Sequence, residues 1–319
     1  MLDVAVIGAG PVGIACAAEC ARRGLRSALI DRGCLCAALY RYPTYMTFFS
    51  TAERLEVAGL PFPSVNAKPT KHEALQYYRS VASAFPIDLH LYQAATAIGG
   101  TRDDFTVTTE RQDLRARRVI IATGFFHRPV PLAIPGADSP AFSHYFVDGH
   151  PYAGQDLIIV GGANSAVIAA LECWRMGARV RIIHRDADFY PGVKYWLLPD
   201  IRNRIAEGAI SVEFNTKLTA FADHSASLQS GERRWSVPAD FVLALTGYRA
   251  DHSWIQSLGI ALDEHHAPQV DESFESPHRP GISLAGCALC GDDTSSIFIE
   301  NGREHAVVIA DRLQADLRQ

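Results

Sequence analysis

Asp3-Val4-Ala5-Val6-Ile7 runs straight into Gly8-Ala9-Gly10-Pro11-Val12-Gly13, an apolar stretch that breaks into a glycine-rich turn. A segment of small residues follows to Gly24, and a second apolar stretch, Ala28-Leu29-Ile30, closes on Asp31. The same order returns later in the chain. Leu157-Ile158-Ile159-Val160 leads into Gly161-Gly162-Ala163-Asn164-Ser165-Ala166, a helix to Gly177, and Val180-Arg181-Ile182-Ile183 closing on His184-Arg185. The interval from first glycine to strand end is the same in both copies. A lone glycine-rich turn says little. Two, each in strand–turn–helix–strand context with matched spacing, predict an α/β chain with two Rossmann-like units that holds two nucleotides.

The copies end in opposite chemistry. In the first, Gly8 permits the tight turn, Gly10 lets the backbone approach a pyrophosphate, and Gly13 lets the helix pack on the strand. The pyrophosphate then sits at the helix N-terminus, over Pro11 and Val12, where unpaired N–H groups and the positive dipole end favour anions. Asp31, with Arg32 beside it, can accept hydrogen bonds from both ribose hydroxyls, which suits FAD or NAD and repels a 2′-phosphate. In the second copy, the turn Gly161, Gly162, Asn164, Ser165 and Ala166 faces His184 and Arg185 instead. A guanidinium invites a 2′-phosphate, so NADPH is expected over NADH, with Lys194 a further candidate for its phosphates. Ala163 adds a methyl where the middle glycine would lie.

At 319 residues, with 48% hydrophobic and 20% charged residues, the chain has the size of two ordinary globular domains. A net charge of −5 offers nothing to nucleic acid or an anionic membrane surface. The apolar runs are too short to span a bilayer, and the first strand begins at Asp3, so a cytoplasmic protein is expected. Seven cysteines (Cys16, Cys20, Cys34, Cys36, Cys173, Cys287, Cys290) are an odd number, which leaves redox work or core packing rather than a disulfide framework. The histidines show no metal-ligand spacing, so no metal is expected.

Lys71 to Ala84 reads as an amphipathic helix. Leu89 to Thr109 reads as short strands around a Gly99-Gly100 turn, and Ser211 to Val237 as antiparallel strands. Arg118 to Gly124 and Phe241 to Gly247 are buried strands that both end in Thr-Gly, and a proline-rich stretch (Pro129, Pro131, Pro135, Pro140) follows the first. These mark two crossings. The expectation is a discontinuous FAD-binding domain, 1–125 and 247–319, with an NADPH-binding domain, 126–246, inserted into it. Thr123-Gly124 and Thr246-Gly247 would be the pivots and would touch FAD and NADPH respectively. A last strand, Pro280 to Gly286, precedes a helix from Ile297 to Leu313.

The chain resembles the low-molecular-weight thioredoxin reductase-like flavoproteins, and among them the bacillithiol disulfide reductase (YpdA-type) family. Tyr42-Pro43-Thr44, Thr47-Phe48-Phe49-Ser50, His144-Tyr145-Phe146, His150-Pro151-Tyr152, Leu197-Leu198-Pro199 and Ile297-Phe298-Ile299-Glu300-Asn301-Gly302 carry the resemblance, in order along nearly the whole chain. It implies FAD, NADPH, a homodimer or homotetramer, and reduction of a low-molecular-weight disulfide. It also implies FAD contacts from Tyr42, Thr47, Gly286, Cys287 and Ile297. Two departures matter. Thioredoxin reductases carry Cys-x-x-Cys just before the second nucleotide unit, where this chain has His144 to Gly149. The bacillithiol family typically has a cysteine in the first glycine turn, where this chain has Val12.

Cys287-Ala288-Leu289-Cys290 is the candidate catalytic pair in its place. The spacing can close a disulfide, and a helix N-terminus after the strand would lower a thiol pKa. Two small residues packed under the cofactor would look the same. Phe48 and Phe49 can flank the flat isoalloxazine or serve as core aromatics. Cys16, Cys20 and Cys173 read as core. His144 and His150 read as structural rather than as a proton relay. In this architecture the NADPH domain can rotate about its two linkers to bring the rings together. Arg41, Arg54 and Arg128 are candidates for meeting the acceptor's carboxylates. The rivals are a ferredoxin- or flavodoxin-NADP reductase of the same fold, which needs no active cysteine and passes electrons to a small redox protein, and a flavin-bound redox sensor. A flavin monooxygenase ranks lower, because the Phe-x-Gly-x-x-x-His segment of that group is missing.

Overall fold

Val4 to Ile7 are buried without interruption because β1 (Leu2–Ile7) lies between two parallel neighbours and is covered on both faces. The period of two still sorts its side chains. Val4 and Val6 face a layer of helices, while Ala5 and Ile7 join a separate core on the other face. The computed structural model describes residues 1–318, which form two compact units: Met1–Arg128 with the chain from Tyr248 onward, and Pro129–Gly247.

In the first unit, α1 (Pro11–Arg22), β2 (Ser27–Ile30), α2 (Ala37–Tyr40), α3 (Ala52–Leu55), α4 (Lys71–Ala84) and β3 (Asp88–His90) follow β1. Then come β4 (Ala95–Thr101), β5 (Asp104–Thr109) and β6 (Asp113–Ile121). The sheet order is β3-β2-β1-β6-β5-β4. β6 first pairs antiparallel with β5, and its apolar end then pairs parallel with β1. The α4 span is the one its periodicity predicts, and a reciprocal Thr70–Glu73 capping box starts it. The Gly99-Gly100 turn is corrected. Both glycines lie inside β4, and the reversal falls at Arg102-Asp103, where Asp103 has φ 71°.

The second unit runs β7 (Phe142–Ser143), β8 (Asp156–Val160), α5 (Asn164–Arg175), β9 (Arg179–Ile183) and α6 (Leu198–Ala206). β10 (Ser211–Glu213) to β13 follow, with β11 Lys217–Ala222, β12 Ser225–Ser230 and β13 Arg233–Pro238, and β14 (Phe241–Ala244) closes the unit. Its parallel sheet has the order β10-β9-β8-β14-β7. β11, β12 and β13 are antiparallel as expected, whereas β10 joins the parallel sheet beside β9. The chain then returns through α7 (His252–Ser257) and β15 (Ile282–Leu284), which pairs with β6, to α8 (Ile299–Leu317). Phe126 to Arg128 stay with the first unit. Phe126 packs edge-on to Tyr42 at 4.7 Å and against Tyr248 at 4.6 Å, contacts that no strand pattern announces. Among the described residues, no helix is long and apolar enough to cross a membrane.

Candidate dinucleotide sites and the cysteine turn

Each unit repeats one topological feature. β1 has β2 on one side and β6 on the other; β8 has β9 on one side and β14 on the other. The connections leave such a strand in opposite directions, which opens a crevice beyond its carboxyl end. Gly8 (φ 110°) and Gly161 (φ 142°) sit at those two ends. A Cβ on Gly8 would collide with the Ala122 carbonyl, and one on Gly161 would stand 2.6 Å from the Leu245 carbonyl oxygen. In both crevices the turn crosses the end of the neighbouring strand at backbone contact.

In the first crevice, Asp31 Oδ2 accepts from the Ala9 N–H at 2.7 Å and Oδ1 from the Gly33 N–H at 2.7 Å. The carboxylate thus clasps the turn and keeps lone pairs for a ligand. No heavy atom stands within 4 Å of where a Cβ on Gly10 or Gly124 would lie. Thr123 Oγ1 and His127 Nε2 are buried with no hydrogen-bond partner. Burial, then the neighbouring charge of Arg32, holds the His127 imidazole down to about 4; Arg128 and Arg41 act the same way, and Asp251 opposes them. Open space over the turn, two unsatisfied polar atoms and a gathering of positive charge fit a dinucleotide with its pyrophosphate.

The expected aromatic contacts divide. Phe48 is buried in the main core, whereas Phe49 is 38% exposed. Thr47 is exposed and bridges to Thr70. Burial pushes the Tyr42 phenol up, and the adjoining Cys287 adds to the shift. Cys16 and Cys20 are fully buried core residues, and burial pushes the Cys20 thiol up to about 12.

Cys287 lies on a 3₁₀ turn, Gly286–Leu289, directly after β15. The Gly286 N–H donates to His305 Nδ1 at 3.2 Å, and a Cβ on Gly286 would stand 3.0 Å from Val12 Cγ1. Cys287 Sγ donates to the Ile297 carbonyl at 3.1 Å, and the Cys290 N–H to the Cys287 carbonyl at 3.2 Å. The neighbouring thiols perturb each other, which holds Cys290 below and Cys287 above the ordinary thiol range. The expected helix N-terminus does not act here, because α8 begins only at Ile299. The local donors to Cys290 are the Ile297 N–H and the Ser296 hydroxyl.

In the second crevice, a Cβ on Gly162 would stand 2.5 Å from His184 Nε2. The ring therefore lies against the turn, its Nε2 buried without a hydrogen bond, and burial holds its pKa below the usual value. His184 thus walls the turn. Arg185 projects outward with a side chain 78% exposed, its Nε 3.7 Å from Asp186. Asn164 Oδ1 accepts from the Lys194 N–H at 2.9 Å, and its Nδ2 donates to the Gly192 carbonyl at 3.2 Å. Asn164 thereby straps the loop carrying Lys194 onto the turn. Ser165 is exposed and Ala166 buried in the first turn of α5. Thr246 Oγ1 donates to the Val130 carbonyl at 2.7 Å, so its hydroxyl ties the crossing. His144 Nδ1 lies 2.9 Å from the Ala244 carbonyl oxygen.

Sequence reasoning missed His127, His305, the Ser50–Glu300 hydrogen bond and the Asn164 strap. Each joins positions far apart in the chain and carries no local pattern.

The profile of the pyridine nucleotide-disulphide oxidoreductase family matches residues 5–286. Bacilliredoxin reductase Bdr of Bacillus subtilis (strain 168) is 34% identical over 96% of this chain and 95% of its own. The solved bacillithiol disulfide reductase Bdr (YpdA) of Staphylococcus aureus superposes with a TM-score of 0.94 at 33% identity, covering 99% of this chain and 98% of its own. A ferredoxin–NADP reductase of Granulibacter bethesdensis is 30% identical over 89% of this chain and 81% of its own.

Proposed function

Because the chain belongs to the pyridine nucleotide-disulphide oxidoreductase family, and within it to the bacilliredoxin reductase (YpdA) group, we propose an FAD-dependent NADPH oxidoreductase that reduces a low-molecular-weight disulfide such as bacillithiol disulfide. The observation that carries the reading is the pair of like crevices, the first with the Asp31 carboxylate clasped to its turn and the second with the exposed Arg185 guanidinium just past the end of its strand. The first unit, with Asp31 on the ribose, would hold FAD. The second would hold NADPH.

When bound, NADPH supplies a hydride and FAD relays its electrons to the acceptor. The protein supplies position and electrostatics. Asp31, immobilised by two backbone N–H groups, orients the adenosine ribose. The first turn of α1 and the Thr123 hydroxyl offer donors to the pyrophosphate. His127, neutral at pH 7, offers Nε2 without adding charge. Arg185 selects the 2′-phosphate, and the Asn164 strap sets the height of Lys194 over the turn. Arg128 is ion-paired with Asp251, so Arg41 and Arg54, both exposed, are the arginines offered to the acceptor's carboxylates. A homodimer or homotetramer belongs to the same reading and is read by light scattering.

The test is NADPH oxidation by the purified flavoprotein with bacillithiol disulfide, with oxidised ferredoxin, and with neither. Fast turnover with the disulfide alone is expected. Fast turnover with ferredoxin alone would replace the proposal with the ferredoxin–NADP reductase reading, which Val12 in place of a thiol favours. Slow oxidation with every acceptor would leave a flavin-bound sensor.

A further inference from the structure

Resting on that reading, we propose that Cys287 and Cys290 form a redox dithiol in which Cys287 attacks the substrate disulfide and Cys290 resolves the mixed disulfide. Cys287 lies in a 3₁₀ turn and Cys290 caps it, its N–H donating to the Cys287 carbonyl at 3.2 Å, so the turn folds the two residues back on each other at the spacing a disulfide can close. The pair sits against the first glycine turn. Val12 packs on Gly286, the residue before Cys287.

Exposure orders the two thiols. Cys287 is partly exposed, whereas Cys290 is 2% exposed. A substrate disulfide therefore meets Cys287, since thiol exchange requires access to the attacking sulfur. The Ile297 N–H and the Ser296 hydroxyl favour the Cys290 thiolate, and in the proposed reacting form Cys290 is ionised. That thiolate takes the Cys287 proton as Cys287 attacks. Cys290 is unlike Cys16, Cys20, Cys36 and Cys173, whose thiols are all pushed up, by burial first.

The steps balance. Cys287 sulfur bonds to one substrate sulfur, the substrate S–S bond breaks, and the first thiol product leaves as a thiolate. Cys290, its proton passed to that product, attacks Cys287 sulfur, and the second product leaves as a thiolate. The substrate disulfide has gained two electrons, and the dithiol has become a disulfide. The hydride equivalent that NADPH delivers through the flavin returns the pair to one thiol and one thiolate.

The experiment uses the full-length flavoprotein and bacillithiol disulfide as the probe. Peptide mass analysis of wild type after exposure is expected to show a Cys287–Cys290 disulfide that NADPH reverses. C290S is expected to hold a stable bacillithiol adduct on Cys287, and C287S none on Cys290. An anaerobic NADPH titration of the oxidised protein is expected to need two equivalents in wild type and one in either variant. If wild type bleaches with one equivalent and still turns over the disulfide while the peptide stays reduced, the dithiol is overturned and the proposed function stands. An adduct on Cys290 in C287S would overturn the order of attack. If NADPH fails to bleach the flavin at all, the function itself falls, and the dithiol with it. The wild-type mass measurement needs no variant to fold.

Discussion

Replacing Gly162 by alanine tests how the second crevice is built. The new Cβ would stand 2.5 Å from His184 Nε2 and 2.6 Å from both Cδ2 and Cε1. Ordinary carbon contacts lie at about 3.5–4.0 Å, so the overlap is on the order of 1 Å across one face of the ring. The ring has little room to retreat. His184 is 9% exposed, the edge of Phe214 stands behind it at 6.3 Å, and its backbone is tied to Glu213 at 3.0 Å and to Thr216 at 2.9 Å. Gly162 is not among the residues with positive φ, so the ring supplies the whole cost. Overpacking of this kind costs about 1–3 kcal/mol. A cost of about 2 kcal/mol corresponds to a fall in melting temperature of roughly 3 °C for a chain of this size. The assay is a double-mutant cycle by thermal and denaturant unfolding. G162A is expected to cost little in an H184A background, giving a coupling of about 1 kcal/mol or more. Additive effects of the two substitutions would refute the reasoning and leave the glycine to be explained by the ligand alone.

Four further outcomes are expected. Two unit charges about 4 Å apart in water are worth ~1 kcal/mol and a phosphate carries up to two, so R185A should raise the NADPH KM about 5- to 30-fold. The NADH KM should stay unchanged, and an equal rise with NADH would remove Arg185 from the 2′-phosphate. For His127, an unfolded imidazole takes its proton near the ordinary value of about 6.5, whereas the folded one does so only near about 4. Between those values the unfolded state binds more protons, so stability falls as pH falls. The melting temperature of the flavin-free H127Q variant should be flatter than wild type across that window, and parallel curves would contradict this. T70A removes the α4 cap and should cost about 1 kcal/mol. The Thr70 and Val65 N–H groups hold the Glu73 carboxyl down to about 2, so its share of stability, present above the ordinary carboxylate range, should be lost as pH falls toward that value. An acid unfolding curve of E73Q that overlays wild type would count against it.

The two glycine turns, their strands and α4 were legible because their signals are local: apolar runs, punctuation by glycine, and a capping box within one helical turn. The β4–β5 reversal was misread because Gly100 follows the pleat of its strand although its backbone is left-handed at φ 85°. β10 was misread because three residues carry no sign of their partner's direction. Phe48 and Phe49 are identical in type and adjacent, and only the packing of the first unit sends one into the core and leaves the other at the surface.

By itself, the sequence determined which dinucleotide chemistry each turn invites. An aspartate or an arginine at the end of a strand is a matter of charge, and charge is written in the residue. Tertiary structure alone decided which of these groups are available. The His184 ring is packed against Gly162, Asn164 and Thr246 spend their polar atoms on loops, and Val12 came to lie beside Gly286, more than half the chain away. Burial and partnership depend on what folding brings alongside a residue, and no local pattern encodes that.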